Sequence, residues 1–142
     1  LIEIILYQLP REKQPPSKEK ERLLIDCKDY IDCHFMEELT VEKLAERSHM
    51  SVSGFAHQFK KIFGFPPIQY IIRRRIGQAQ TLLITTDLSI TEVSVRVGYD
   101  NISYFNNQFK RFAGMSPQSY RKYKVGERQF KNLNKLVPHI HS

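Results

Sequence analysis

Cysteine and long apolar runs are both scarce in this chain of 142 residues. Cys27 and Cys33 are the only two cysteines. Six residues apart on one predicted helix, they point in different directions, so no local disulfide or metal pair is expected. This cysteine usage fits a reducing cytoplasm. No apolar run suggests a membrane span, and no signal peptide is visible, so we expect no membrane partner.

Signatures of catalysis are missing as well. The sequence has no glycine motif that cradles phosphate, no zinc-ligand spacing and no recognisable pairing of a nucleophile with a base. His139 and His141 could ligate a metal, but without cysteine or acidic partners a polar terminus is the better interpretation. We therefore expect a protein that is not an enzyme and that uses neither a cofactor nor a metal.

Positive charge, in contrast, is abundant and unevenly distributed. The chain has 22 Lys and Arg against 15 Asp and Glu, a net charge of +7 that favours an anionic partner. Residues 1–49 hold eight basic and eleven acidic residues, a net charge of −3. Residues 50–125 hold eleven and three, a net charge of +8, and residues 126–142 hold three and one, a net charge of +2. Such segregation indicates a binding surface better than it indicates a uniformly basic exterior.

The pattern of residues 88–121 predicts two short helices joined by a tight turn. Ser89 and Glu92 have the spacing of a capping box, which predicts a helix over residues 90–97. Gly98 follows where the chain must turn sharply, and glycine reaches left-handed backbone angles at little steric cost.

A second helix is predicted over residues 102–113, capped by Asp100 or Asn101 and stopped by Gly114. One face carries Phe105, Phe109 and Phe112, and the other carries Ser103, Asn106, Asn107 and Lys110. In a helix-turn-helix, the second helix enters the major groove, where Asn can bond adenine and Ser is a more permissive donor and acceptor. A polar surface helix without DNA is the alternative interpretation of this face taken alone.

A repeat strengthens the DNA-binding interpretation, because residues 39–70 match residues 88–120. The matched pairs are Leu39 with Leu88, Val41 with Ile90, Leu44 with Val93, Ser53 with Ser103, Phe55 with Phe105, Phe59 with Phe109, Lys60 with Lys110, Gly64 with Gly114, Pro67 with Pro117 and Tyr70 with Tyr120. The outward set of the upstream copy becomes Ser53, Ala56, His57 and Lys60. Two copies are too few for a solenoid, so we predict a pair of DNA readers.

With both copies in view, the sequence resembles the DNA-binding domain of AraC-type (AraC/XylS) bacterial transcription regulators. The motif in the second copy comprises Ile90, Val93, Gly98, Tyr99, Ser103, Tyr104, Phe105, Phe109, Lys110, Arg111, Gly114, Ser116, Pro117, Tyr120 and Arg121. The resemblance covers about residues 23–123. Ser94 stands where the family favours Ala, and His49 stands where the first turn often has Gly, a position that His tolerates better than most residues.

The resemblance implies a transcription regulator of the bacterial cytoplasm, an activator that recruits RNA polymerase beside a promoter. Because the chain begins with Leu, we expect a fragment of a longer protein, whose missing N-terminal domain would bind any inducer and form a homodimer. Arg75 is implied to be structural, whereas Arg73 and Arg74 would reach phosphate or form a solvated charge run. A subgroup with this fold repairs DNA through metal-held cysteines, and Cys27 and Cys33 lack that spacing.

The predicted fold is all-α and homeodomain-like, with about seven helices in two helix-turn-helix subdomains joined by a long linker helix. We assign residues 1–17 to the end of an upstream helix plus a linker, 18–70 to the first subdomain, 67–85 to the linker helix, 86–124 to the second subdomain and 125–142 to a C-terminal tail. The linker helix would be about 28 Å long, against about 34 Å between successive major grooves. One molecule is therefore predicted to read two adjacent major-groove segments of double-stranded DNA, with bending of the DNA where needed.

The predicted contacts fall into two classes. The residues predicted to contact bases are Ser53, Ala56, His57, Ser103, Asn106 and Asn107. The residues predicted to contact phosphate, which position the protein without reading sequence, are Lys60, Lys61, Arg73, Arg74, Tyr104, Lys110, Arg111 and Lys122. The alternative function is a helical protein-interaction module whose basic face meets an acidic partner.

Overall fold

The computed structural model describes Pro10 and residues 17–136, which contain seven α-helices and no strand. The helices are α1 (Lys18–His34), α2 (Val41–Arg47), α3 (Val52–Phe63), α4 (Pro67–Thr85), α5 (Ile90–Arg96), α6 (Ile102–Ala113) and α7 (Pro117–Leu136). The predicted all-α class is confirmed. The chain divides into two compact units, Leu1–Ile72 and Arg73–Ser142. Within the described part, no helix is both long and apolar enough to cross a bilayer.

The first unit is built around one apolar cluster to which every one of its helices contributes. The buried members are Leu24, Cys27, Ile31, Phe35, Leu44, Ala45, Phe55, Phe59 and Ile71. Cys27 belongs to the core while Cys33 is exposed, as their spacing on one helix predicted. A helix shorter than about 12 residues is marginal alone in water, so α2, with 7 residues, depends on this packing.

Polar contacts hold α1 against the start of α4 in the first unit. The Tyr70 hydroxyl donates to the Asp32 carboxylate, and Lys28 Nζ lies 3.1 Å from the other oxygen of the same carboxylate. Lys28 also stands 5.5 Å from the centre of the Tyr70 ring. These contacts fix α1 against the helix that follows the first helix-turn-helix.

The turn between α2 and α3 depends on one residue with a positive φ. His49 has φ of 56°, the left-handed conformation expected from the family resemblance at this position. The backbone N–H groups of Ser48, His49 and Met50 donate to carbonyls of the last turn of α2, which closes the helix end. Ser51 then caps α3, because its side chain accepts a hydrogen bond from Gly54 N at 3.1 Å.

The second unit repeats this design with different residues. The capping box of α5 is complete: Glu92 N donates to Ser89 Oγ at 3.1 Å and Ser89 N donates to Glu92 Oε2 at 2.9 Å. Gly98, with φ of 104°, makes the turn, and the cap of α6 is Asn101 and not Asp100. Ser94 is buried, but its hydroxyl donates to the Thr91 carbonyl at 2.7 Å, so this departure from the family pattern leaves no unsatisfied group.

The last helix is longer than the sequence indicated. We assigned residues 125–142 to a tail, whereas α7 continues to Leu136 and its residues 128–136 are exposed. Exposure explains the difference, since a helix without a buried face lacks the periodic core signal that sequence analysis uses. The upstream helix and linker expected in residues 1–16 and the terminal His139 and His141 lie outside the described residues, Pro10 excepted.

Gly114 and Gly77 give opposite predictions for stability. Gly114 ends α6 with φ of 82°, which costs a residue with a Cβ about 1–2 kcal/mol, so Gly114→Ala should lower the free energy of unfolding by about that amount. Gly77 lies inside α4, where an added Cβ meets no atom within 4 Å. Gly77→Ala should therefore raise the free energy of unfolding by about 0.5–1 kcal/mol. Urea denaturation of both variants checks this, and equal signs would contradict it.

Candidate nucleic-acid interface

Two buried phenylalanines determine how α6 is turned. Phe105 and Phe109 are 0% exposed, and Phe112 on the same side is half-buried. The opposite side carries only exposed residues: Ser103, Asn106, Asn107 and Lys110. The structure therefore brings together, on one face of one helix, the polar residues that the sequence predicted there.

Tyr104 stands at the edge of this face and joins it to the turn before α6. Tyr104 is 50% exposed, and its ring centre lies 5.7 Å from that of Tyr99. Tyr99 is buried beneath the turn, with its ring centre 5.3 Å from that of Phe105. Two turns further along α6 lies the exposed Arg111, and Lys122 is exposed on α7. These three side chains are free of the core and accessible to a polyanion.

The recognition helix of the first unit has the same arrangement. Phe55 and Phe59 are 0% exposed, whereas Ser53, His57, Lys60 and Lys61 are exposed and Ala56 is partly exposed. Lys60 and Lys61 lie in the last turn of α3. None of the predicted base-contacting residues of either unit is buried in the core.

A cleft beside the start of α3 contains a residue that sequence analysis missed. The cleft has a volume of about 430 Å³ and is lined by Lys20, His49, Met50, Ser51, Ser53, Gly54, His57 and Gln58. Lys20 lies in the first turn of α1. Neither sequence signal indicated it, because residues 1–49 carry a net negative charge and the repeat begins only at residue 39. Its ammonium group adds positive charge beside Ser53 and His57.

The three arginines of α4 differ in their surroundings. Arg73 and Arg74 are exposed, and the Arg73 guanidinium lies 5.6 Å from the centre of the Phe112 ring. Arg75 is half-buried, 5.5 Å from the centre of the Tyr99 ring, and burial lowers the pKa of its guanidinium. This position agrees with the structural role that the resemblance implied for Arg75. Arg73 and Arg74 remain predicted phosphate contacts.

We also searched the described residues for a metal site and for a reactive cysteine. Among residues 17–136, no three His, Cys, Asp or Glu side chains are grouped as metal ligands. Burial raises the pKa of the Cys27 thiol, which favours the protonated, poorly nucleophilic form. Cys33 is exposed.

The buried hydroxyl of Tyr99 leads to a prediction on stability. The Tyr99 hydroxyl has no hydrogen-bond partner, so Tyr99→Phe should raise the free energy of unfolding by about 1 kcal/mol at neutral pH. Burial raises the pKa of Tyr99 to about 12, opposed by Arg75, whereas the unfolded chain releases this proton near the ordinary tyrosine value of 10.0. The wild type therefore loses stability as pH rises between these values, and the advantage of Tyr99→Phe should grow there.

Denaturation with urea at pH 7 and at pH 11 measures both effects on Tyr99→Phe. If the difference in the free energy of unfolding between variant and wild type were the same at both pH values, the Tyr99 phenol would not be buried and neutral in the folded protein.

Comparison with known proteins relates this geometry to a family. A family model described as a helix-turn-helix domain matches residues 44–123. An uncharacterized HTH-type transcriptional regulator of Escherichia coli K12, YdiP, is 40% identical over 114 residues, which are 80% of this chain and 36% of the relative. AdaA of Bacillus subtilis, a bifunctional transcriptional activator and DNA repair enzyme, is 34% identical over 126 residues, 89% of this chain and 58% of that protein.

Among solved structures, the DNA-binding domain of AdpA, a global transcriptional factor, was crystallised with a target DNA. It is 32% identical to this chain, with a TM-score of 0.67 over 80% of this chain and 98% of that domain. The chain spans about a third of YdiP and less than two thirds of AdaA. With two exposed polar recognition helices, each preceded by a left-handed turn, and with these relatives, the chain belongs to the AraC-type family of helix-turn-helix transcription regulators and carries its DNA-binding domain.

Proposed function

We propose that this domain activates transcription by reading two adjacent major-groove segments of DNA, one with α3 and one with α6. One observation carries the proposal. In each unit two phenylalanines of a 12-residue helix, Phe55 and Phe59 or Phe105 and Phe109, are fully buried while the polar residues opposite them are exposed, directly after a left-handed turn. A helix presented in this way has the shape and the donors that the major groove accepts.

The proposed base contacts differ between the two helices. On α6, Asn106 and Asn107 offer amides that match the N6 and N7 edge of adenine, and Ser103 adds a permissive hydroxyl. On α3, Ser53 and His57 offer hydrogen bonds, and Ala56 offers a methyl group that suits the C5-methyl of thymine. The two helices therefore prefer different base sequences.

The proposed phosphate contacts surround these faces. In the first unit they are Lys60 and Lys61; on α4 they are Arg73 and Arg74; in the rest of the second unit they are Tyr104, Lys110, Arg111 and Lys122. Lys20 joins this set because it lines the cleft that also contains Ser53 and His57. Such contacts position the protein and contribute affinity that falls with salt.

The reading of two adjacent segments is supported by the dimensions of α4. Its 19 residues form one uninterrupted helix from Pro67 to Thr85. At about 1.5 Å per residue the helix is about 28 Å long, close to the repeat of about 34 Å between major grooves on one side of the duplex. Local bending of DNA would accommodate the remaining difference.

The proposal also covers the location of the whole protein, its partners and whether this domain is catalytic. Family membership supports a bacterial, cytoplasmic activator that contacts RNA polymerase and forms a homodimer through a domain outside this chain. We infer that this domain is not catalytic, since the family model and the relative YdiP are a helix-turn-helix domain and a transcriptional regulator. A protein-interaction module is not favoured, since the relatives are transcription regulators.

Two substitutions on α6 separate base reading from phosphate binding. Asn107→Ala should lose about 1–3 kcal/mol of discrimination at one base pair. Lys110→Ala should weaken binding to all duplexes alike and lower the salt slope by about 1. The measurement is binding to a duplex selected from a random pool and to single-base variants of it, with the exposed Gln129→Ala as control. Equal loss on every duplex for Asn107→Ala would contradict the assignment.

Hydroxyl-radical footprinting tests the two-segment proposal. One molecule should protect two segments about one helical turn apart. Ser53→Ala with His57→Ala should weaken protection of one segment, and Asn106→Ala with Asn107→Ala should weaken the other. Protection of a single half-turn by one molecule would exclude the arrangement.

A further inference from the structure

Four basic residues form a stripe along the second half of α7. Lys124, Arg128, Lys131 and Lys135 follow one another at intervals of four, three and four residues, which places them on one helix face. The family match ends at residue 123, so the stripe lies beyond the matched region. Its function is not covered by the helix-turn-helix assignment.

Arg121 determines which way this stripe is turned. It lies on the same face, three residues before Lys124, and its Nε donates to the Leu83 carbonyl at 3.0 Å. Its Nη2 donates to the Thr86 carbonyl at 3.3 Å. The two bonds join α7 to the end of α4 within the second unit, so the stripe is held in one orientation where it leaves the domain.

The stripe lines an open cleft that carries a clear excess of positive charge. The cleft has a volume of about 490 Å³ and is lined by Ile84, Lys124, Glu127, Arg128, Lys131, Asn132, Asn134 and Lys135. Glu127 is its one carboxylate, 3.3 Å from Lys124 Nζ and 3.6 Å from Lys131 Nζ. Hydrogen bonding to Lys124 and the charges of Lys124 and Lys131 lower the pKa of Glu127. Four cations against one carboxylate leave the cleft strongly basic.

We propose that this stripe binds the phosphodiester backbone of duplex DNA that continues beyond the segment read by α6. The inference rests on the proposed DNA reading and extends it to flanking DNA. From Lys124 to Lys135 the helix rises about 16 Å, at about 1.5 Å per residue. Each DNA strand carries one phosphate per about 3.4 Å, so the stripe matches about five base pairs. A row of this length suits a charged polymer and not a single small anion.

The residues on the opposite side of α7 favour DNA over a membrane as the partner of the stripe. Phe130 and Leu133 are 64% and 61% exposed there, roughly half a turn of the wheel from Arg128 and Lys135. If that apolar side entered a lipid surface, the stripe would be held about 10 Å away from the headgroups by the width of the helix. Duplex DNA, by contrast, would already be bound to the same unit through α6, at high effective concentration.

The test compares the intact wild-type protein with a variant that carries Lys124→Gln, Arg128→Gln, Lys131→Gln and Lys135→Gln. The probe is a duplex selected from a random pool, extended by about ten base pairs beyond the read segments. At about 0.9 per released phosphate contact, the variant should lower the slope of log affinity against log salt by about 3–4. The footprint should shorten by about five base pairs on one side, while the preference for the selected duplex over a random duplex is retained.

Two controls keep the result interpretable. Phe130→Gln with Leu133→Gln alters the same helix on its opposite side and should leave the salt slope unchanged. On a duplex trimmed to the read segments, the four-residue variant and the wild type should have slopes that differ by less than about one phosphate contact. If thermal unfolding shows that the four-residue variant is not folded, Lys131→Gln with Lys135→Gln should lower the slope by about 2.

The outcomes separate this inference from the proposed function. An unchanged slope and footprint on the extended duplex, with sequence preference intact, would overturn the stripe and leave the proposed function standing. Loss of binding to phosphatidylglycerol vesicles in the four-residue variant, with an unchanged DNA slope, would assign the stripe to lipid and would also overturn it. A wild type that binds selected and random duplexes equally would instead refute the specific reading by α3 and α6.

Discussion

The burial of two phenylalanines, one helical turn apart, orients each recognition helix, and the rest of each unit depends on it. The ring centres are 5.7 Å apart for Phe55 and Phe59 and 5.8 Å apart for Phe105 and Phe109. Burial of each ring contributes about 1.5–3 kcal/mol, so turning either helix to hide its polar face would cost several kcal/mol. The exposed polar face is therefore a consequence of the core.

The two units reach this arrangement by different local means. Gly98 makes the turn in the second unit without steric cost, whereas His49 makes it in the first with a side chain at a positive φ. The two units share one arrangement at the last turn of each recognition helix. There, Tyr70 packs edge-on against Phe59 and Tyr120 packs edge-on against Phe109. The rings limit how far each helix can move while its polar side binds.

The side-chain contacts that hold the helices together also differ between the two units, and the difference affects the charge of each unit. In the first unit, the Tyr70 hydroxyl donates to the Asp32 carboxylate, so an acidic residue holds α1 against α4. In the second unit, Arg121 takes this role by donating to the backbone carbonyls of Leu83, in the last turn of α4, and of Thr86, just after it. Because that arrangement needs no carboxylate, the second unit keeps its charge positive along α7. The second unit, which we propose binds DNA through α6, is thereby continuous with a basic surface that the helix-turn-helix does not require.

The sequence alone predicts much of the secondary structure and the exposed polar faces of this protein. Apolar spacing, the pair Ser89 and Glu92, the terminating glycines and the repeat were sufficient to predict α5 and α6, the equivalent α2 and α3, and the polar faces of α3 and α6, because local chemistry at helix ends and the 3.6-residue period are read directly from residue order. The choice of Asn101 over Asp100 as the cap required the structure, since both side chains can accept the same bond.

Only the tertiary structure determined which residues meet from distant parts of the chain. Lys20 lies beside Ser53 and His57 because α1 packs against α3, and nothing in its acidic neighbourhood indicates this. The orientation of the basic stripe depends on Arg121 reaching Leu83 and Thr86, 38 and 35 residues away. That α7 continues to Leu136 is likewise visible only in the structure. Sequence periodicity reports a face only where a core buries the other side, and the exposed end of α7 has no such core.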